Sequence, residues 1–377
     1  MSSLNAARFL STLKVGRGAA GFYTTTEKFT KHQDGNVNLV TDTGPSQPQS
    51  SGRSKIRSIV ELMRWHKPTG TILTLTPALW SVGLVTPDTS SMPDLGTMAI
   101  FTAGAIVARG MGCTLNDILD RKFDRLVERT KMRPIACGDI SVREALVYLG
   151  LQSSIGLYVL CLNNYTVIKL GLFSGIMIAA YPLFKRFTNW PQVMLALTFN
   201  WGVIMGYAAI KGGSLDLSDL ITILPIYLGA NFWTLYYDTI YAHQDKTDDA
   251  FIGVKSSALV LGDNTKRFLY QMSGAMILSL STAGWLTGQM WPYYLTLATT
   301  GIYHRFQVKS LNLDSTDECW RAFDRQKHVG LLILGGVLVS VMMKSKKGSS
   351  SKESQSSELL VGNGSDKNNN NGVMKQI

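Results

Sequence analysis

Residues 95–125 read LGTMAIFTAGAIVARGMGCTLNDILDRKFDR. The run from 95 to 114 carries a single charge, Arg109, and is about the ~20 residues that a helix needs to cross the hydrocarbon core of a bilayer. Beyond it the composition changes at once, to Asn116, Asp117, Asp120 and Asp124. If the helix continues, Asn116, Asp120 and Asp124 recur every four residues and line one face, where their oxygens can converge on a single ion. A membrane-length apolar helix that ends in a ladder of oxygen ligands is the feature from which the fold and the site both follow.

The same apolar pattern recurs on both sides of this stretch. Nearly uncharged segments fall at 68–87, 95–114, 143–162, 165–184, 191–210, 217–241, 266–287, 289–304 and 328–343. A soluble core does not repeat that pattern nine times, and 45% hydrophobic with only 17% charged residues argues in the same direction. The expected fold class is all-α, a polytopic membrane protein with nine transmembrane helices in a domain at 58–343. The net charge of +11 invites a nucleic-acid reading, but its distribution explains it better. The even-numbered connections hold Arg121, Lys122, Arg125, Arg129, Lys131 and Arg133, then Lys185 and Arg186, then Lys246, Lys255, Lys266 and Arg267, then Arg305, Lys309, Arg321, Arg325 and Lys327, whereas the odd ones hold only Lys211. Such asymmetry places all even loops on one side of a bilayer, together with Arg53, Lys55, Arg57, Arg64 and Lys67 before the first span. A lipid bilayer is therefore an expected partner, and nucleic acid is not.

Outside the spans the chain is of different kinds. Residues 1–32 contain Arg8, Lys14, Arg17, Lys28 and Lys31, with no acid before Glu27, which is the composition of a mitochondrial transit peptide. Residues 33–57 read as a flexible linker, and 344–377, ending in an Asn run, as a disordered tail. Cys113, Cys137, Cys161 and Cys319 form no CxxC pair and read as neither disulfides nor ligands.

A second acidic group follows the sixth span, with Asp238, Asp245, Asp248 and Asp249. Asp245 and Asp249 share a helical face, and Asp238 lies seven residues earlier on nearly the same one. Taken singly, each group could be a solvated charged surface; two matching groups in loops on one membrane side point to a site. Hard oxygen donors with open positions suit magnesium. The spacing does not match an EF-hand, and there is no HExxH or Cys/His cluster for zinc. Cations surround both groups. Arg109 lies on roughly the face of Asn116, and Arg64, Lys67, Arg129, Arg133, Lys185, Arg186 and Lys255 accompany it. Carboxylates, a metal and bases together make a diphosphate site.

The sequence RWHKPTG at 64–70, RGMGCTLNDILDRKFDRLVERTKMRPIACGDIS at 109–141, YPLFKRFTNWPQ at 181–192 and YYDTIYAHQDKTDDAFIGVKSSALVLGD at 236–263 resembles the UbiA superfamily of intramembrane prenyltransferases, and within it the branch that prenylates 4-hydroxybenzoate. The resemblance runs in order through the whole membrane region. It implies nine helices around a central cavity, with both Asp-rich loops on the matrix side of the mitochondrial inner membrane. It further implies Mg2+ held on a polyprenyl diphosphate by Asn116, Asp120, Asp124, Asp245 and Asp249, the four aspartates being the catalytic set, with Asp117 and Asp248 as supporting charge. Arg64, Lys67 and Arg109 would contact the diphosphate, and Lys185 and Arg186 the aromatic acid or the diphosphate. Other enzymes of ubiquinone biosynthesis are implied partners. One departure is Arg321 to Lys327, where members of the family tend to carry Asn; it bears on local packing or loop contacts.

The implied chemistry is ionisation of the allylic C–O bond, then attack by the ring carbon ortho to the phenol oxygen in a dry cavity. Tyr236, Tyr237 and Tyr241 are candidates to stabilise the cation, or simply interfacial anchors. Two competing readings are a UbiA-type enzyme with another aromatic acceptor, and a secondary transporter, whose charges would be expected near mid-span in broken helices.

Overall fold

A computed structural model describes residues 52–88, 90, 92–127, 129–184, 188–246 and 255–365. The expected transit peptide, the linker up to residue 51, Lys185, Arg186, Asp248, Asp249 and the chain after 365 lie outside the described residues. Among those described there is no strand. The helices are α1 (Lys55–Leu62), α2 (Thr69–Leu84), α3 (Leu95–Asp124), α4 (Val142–Cys161), α5 (Tyr165–Phe184), α6 (Pro191–Phe199), α7 (Trp201–Lys211), α8 (Asp219–Ala242), α9 (Ser257–Leu261), α10 (Thr265–Leu286), α11 (Trp291–Ser310), α12 (Thr316–Asp324) and α13 (Gln326–Ser365). Short 3-10 turns follow α8 at His243–Asp245 and α9 at Gly262–Asn264.

Local sequence explains where these elements start and break. Asp94 caps α3 by accepting from the Gly96 and Thr97 amides. Ser141 and Glu144 form a reciprocal capping box at the start of α4, so donors that the first turn would leave unpaired are satisfied. The segment expected as one span at 191–210 is broken at Asn200 into α6 and α7. There the Asn200 amide turns inward, donating to the Ala196 carbonyl, to Asn231 Oδ1 at 3.0 Å and to Thr234 Oγ1 at 2.9 Å.

Every segment read as apolar from the sequence is helical. Leu95–Asp124, Val142–Cys161, Pro191–Lys211, Asp219–Asp245 and Thr316–Lys346 are long and apolar enough to cross a membrane, and Tyr165–Ala180 is a shorter apolar helix. The side-chain sorting is that of helices in lipid. On α4 the buried residues are Ala145 and Gln152, while Leu146, Val147, Leu151, Ile155, Leu157 and Tyr158 face outward. A soluble helix would show the reverse arrangement. The four cysteines are free.

Packing runs in a circuit: α2 against α3, α7 and α13; α13 against α11; α11 against α10; α10 against α8; and α8 against α6 and α7. Small residues permit the closest approaches. A Cβ on Gly206 would lie 2.8 Å from the Ala78 carbonyl oxygen, and one on Gly330 2.6 Å from Thr76 Oγ1 and 2.7 Å from the Trp233 ring. Trp80 and Trp233 meet at 5.0 Å between ring centroids, and Trp80 Nε1 donates to the Gly330 carbonyl at 2.9 Å.

The bundle also holds a polar thread. Gln326 Oε1 accepts from Trp233 Nε1 at 2.9 Å and lies 3.1 Å from His304 Nε2. Gln326 Nε2 donates to Gln307 Oε1 at 2.9 Å, which also accepts from the Tyr236 hydroxyl.

Gly206→Leu is expected to lower stability by about 1–3 kcal/mol, the usual cost of overpacking, read as a lower thermal unfolding midpoint in detergent. Gly150→Leu, on α4 where no neighbour lies within 4 Å of a Cβ, should leave that midpoint unchanged or raise it. Equal losses in the two variants would show that the α2–α7 approach is not limiting.

Candidate active site

The site grows from the end of α3. A 30-residue helix is about 45 Å long, more than a ~30 Å hydrocarbon core requires, so its last turns carry the acidic residues past the apolar run. The helix continues through Asp124, which places Asn116, Asp120 and Asp124 on one face.

Asp117 is the most enclosed of the acids, its side chain only 1% exposed. Arg64 Nη2 donates to both its oxygens, at 2.9 and 3.0 Å, and Arg133 Nη1 donates to Oδ1 at 3.1 Å. The same Arg133 nitrogen reaches both oxygens of Asp124 at 3.0 Å. Arg133 is held above its ordinary pKa: burial works against its charge, and Asp117 and then Asp124 more than offset it. Arg64 has φ of 59°, a left-handed conformation that a non-glycine residue rarely adopts. Its guanidinium also donates to the Glu61 carbonyl at 2.7 Å, and these bonds hold the turn between α1 and α2.

The second acidic group meets the first. Arg129, from the loop after α3, donates to Asp245 through Nε at 2.7 Å and Nη2 at 2.5 Å, and through Nη1 to the Tyr241 hydroxyl at 2.9 Å. Its guanidinium carbon lies 5.3 Å from the Tyr241 ring centroid. The two acid-bearing loops therefore lie together at one end of the bundle, joined by a two-pronged ion pair.

Arg109 is not paired with a carboxylate among the described residues. Its guanidinium lies across Gly70, where a Cβ would approach to 2.5 Å, and 5.6 Å from the Phe199 ring centroid. Its Nε is buried without a hydrogen-bond partner. A half-buried guanidinium whose Nε lacks a partner fits an anionic ligand. Lys67 Nζ lies 5.1 Å from the Trp320 ring centroid. Tyr236 and Tyr237 are buried, with hydroxyls bonded to Gln307 and within 3.0 Å of Thr234 Oγ1 respectively; Tyr241 is the candidate aromatic that meets an ion pair.

Among the described residues no group of three or more His, Cys, Asp or Glu side chains gathers as a metal centre. Guanidinium groups stand against three of the carboxylates, Arg133 on Asp117 and Asp124 and Arg129 on Asp245. The donors themselves are all oxygen, which fits a hard divalent ion. Residues with no assigned role in the sequence reading also enter the site. Gly70 makes room for Arg109. Phe199 faces it. Trp320 and Phe323 from α12 meet Tyr241, at 6.5 and 4.7 Å between centroids.

The profile of the UbiA prenyltransferase family matches residues 74–332. The chain belongs to this family. It is 43% identical over 295 residues to the rat protein named mitochondrial 4-hydroxybenzoate polyprenyltransferase, covering 78% of each chain. The human protein of that name is 43% identical over 289 residues, 77% of this chain and 76% of that one. The Caenorhabditis elegans protein is 42% identical over 298 residues, 78% and 82%. In three dimensions this UbiA chain resembles the apo UbiA homolog of Aeropyrum pernix K1, with TM-score 0.62 at 23% identity over 71% of this chain and 97% of that one. It also resembles the Archaeoglobus fulgidus UbiA homolog solved with DMAPP and Mg2+, with TM-score 0.54 at 18% identity over 74% and 99%. At such identities the likeness is one of fold.

The two ion-pair systems of this UbiA chain differ in burial, and their losses should differ accordingly. Asp117→Ala leaves the Arg64 guanidinium without its carboxylate and Arg133 with Asp124 alone, and is expected to destabilise by about 3–5 kcal/mol. Asp245→Ala, in a pair whose Arg129 is 34% exposed, should cost about 1 kcal/mol or less. Thermal unfolding of both variants in detergent checks this, and a larger loss for Asp245→Ala would contradict the ordering.

Proposed function

We propose that the protein transfers a polyprenyl group from polyprenyl diphosphate to the ring carbon ortho to the hydroxyl of 4-hydroxybenzoate, as a step of ubiquinone biosynthesis. Its bundle would cross the mitochondrial inner membrane nine times with both acidic loops toward the matrix, in keeping with the loop-charge asymmetry. The observation that carries the reading is the Arg129–Asp245 pair. It brings the two acidic groups to a common place, which a diphosphate shared between them requires. The 43% identity to proteins of that name supports the choice of acceptor.

In this reading Asn116, Asp120, Asp124, Asp245 and Asp249 would hold Mg2+, with Asp117 and Asp248 as supporting charge. Bound there, the metal would supply Lewis-acid stabilisation of the departing diphosphate. The residues of the chain supply the rest. Arg64, Lys67 and Arg109 neutralise and orient the diphosphate, and Lys185 and Arg186 receive the aromatic acid or a phosphate. Asp117 keeps Arg64 and Arg133 at the site entrance. Arg109 has its guanidinium held against Gly70 and Phe199, so it would lose little freedom on binding an anion. As negative charge builds on the leaving oxygen, these fixed cations stabilise it without reorganising. A cavity among the helices would keep water from the allylic carbon until the aromatic ring attacks, and a long prenyl tail would have lipid beside it to enter.

Purified protein in lipid nanodiscs, given Mg2+, polyprenyl diphosphates of graded length and 4-hydroxybenzoate, should yield prenylated acid by mass spectrometry. Homogentisate and a naphthoate offered in parallel should not be prenylated. Chelation of divalent ions should stop turnover and Mg2+ should restore it. Asp120→Ala and Asp249→Ala should each lose at least about 100-fold in kcat while the protein stays folded; near-normal turnover in either would refute its assignment as a ligand.

A further inference from the structure

The connection between α11 and α13 carries none of the acidic motifs, yet it folds into a defined element beside them. Ser315 caps α12 by accepting from the Glu318 amide, and Asp317 and Glu318 occupy its first turn, where negative charge suits a helix N-terminus. Cys319 and Ala322 are buried beneath it. This register turns Trp320 and Phe323, three residues apart, toward the acidic loops, where both stay half-buried.

The two rings complete an unbroken chain of contacts. Lys67 Nζ lies 5.1 Å from the Trp320 ring. Trp320 lies 5.7 Å from Phe323, and Phe323 lies 4.7 Å from Tyr241. Tyr241 carries Arg129 on its face and on its hydroxyl, and Arg129 holds Asp245. A second tie fastens the end of α12: Thr69, two residues after Lys67, donates to Asp324, which also accepts from Lys327 at 2.7 Å.

We propose that Trp320 and Phe323 are positioning residues of the diphosphate site, forming an aromatic wall that fixes Lys67 on one flank and the Tyr241–Arg129–Asp245 unit on the other. The proposal rests on the transferase reading above. The physical basis is that a lysine is a flexible point charge with several rotatable bonds. An aromatic face draws the ammonium to one place, and so lowers the ordering cost when an anion arrives. Arg129 already has two carboxylate bonds to direct it, so Lys67 depends more on the wall.

The test uses the full-length enzyme in nanodiscs with Mg2+, 4-hydroxybenzoate and each polyprenyl diphosphate of the graded series, the kinetics being read with the donor that turns over fastest. Trp320→Leu should raise KM for the diphosphate about tenfold while KM for 4-hydroxybenzoate changes less than about twofold. Trp320→Phe, which keeps an aromatic face, should return the diphosphate KM to within about threefold of the unmodified enzyme. Lys67→Met should have its own effect, and adding it to Trp320→Leu should have almost none, because both act through one contact. Equal changes in both KM values, no recovery with Phe, or independent multiplication of the two effects would overturn the proposal. If the unmodified enzyme forms no product, the transferase reading falls and this inference with it; if it turns over normally and Trp320→Leu matches it, only the aromatic wall is refuted.

Discussion

The Asp117 carboxylate, shared by Arg64 and Arg133, is the contact on which the rest of the acidic end depends. A charge so enclosed is tolerated only when paired, and losing a partner is far more damaging than never having had the pair. Asp117 stands just past the apolar run of α3 and draws two separate segments onto it. One is the turn between α1 and α2, which leads directly to Lys67 and Gly70. The other is the loop after α3, where Arg133 is fixed and Arg129, four residues earlier, is left facing Asp245. The positions of Lys67, Arg109 and Asp245 thus descend from one buried carboxylate.

Deeper in the bundle the same constraint is met without charge. Buried inside the bundle, each polar group needs a hydrogen-bond partner. Trp233 Nε1–H can only donate, so the Gln326 atom facing it must be the amide oxygen. That oxygen accepts from His304 as well, which puts the His304 proton on Nε2 and makes Nδ1 an acceptor for the Ser273 hydroxyl, 3.0 Å away. The Gln326 amide reaches Trp233 and Gln307 together, tying the start of α13 to α8 and α11. Since α8 leads into Tyr241 and Asp245, a neutral network in the core holds one half of the charged site in register.

What was legible in the sequence divides along physical lines. Apolar run length depends only on local composition, so every apolar segment was found to be helical. The break at Asn200 was hidden because a single polar residue barely lowers the mean hydropathy of a twenty-residue run, and the compensating partners, Asn231 and Thr234, lie on another helix. The short helices α1 and α12 are amphipathic over eight and nine residues, too few to stand apart from a charged loop. In the acidic groups the four-residue spacing made the shared face of Asn116, Asp120 and Asp124 readable. Which arginine meets which aspartate was not readable, because it depends on how loops far apart in the chain are brought together. Arg109 shows the limit: its helical phase suggested the acids, whereas the missing side chain of Gly70 and the ring of Phe199 decide where it rests.

The choice of cation follows the same logic. Arginine stands at 64, 129 and 133, where a planar, delocalised donor group can hold one or two carboxylates in fixed geometry. Lysine stands at 67, beside an aromatic ring and with no carboxylate in reach among the described residues. Under the proposed transfer, an arriving diphosphate would have to compete with aspartates for Arg64, Arg129 and Arg133, so those arginines would contribute an exchange of partners rather than a new attraction. Lys67 and the spare donor of Arg109 have no such partner to lose. The net attraction for the anion would therefore be concentrated in the two cations held by rings and by a glycine gap, while the ion-paired arginines preserve the shape of the site. This division follows from burial and geometry, and it would let a formally crowded set of charges bind another strongly charged group.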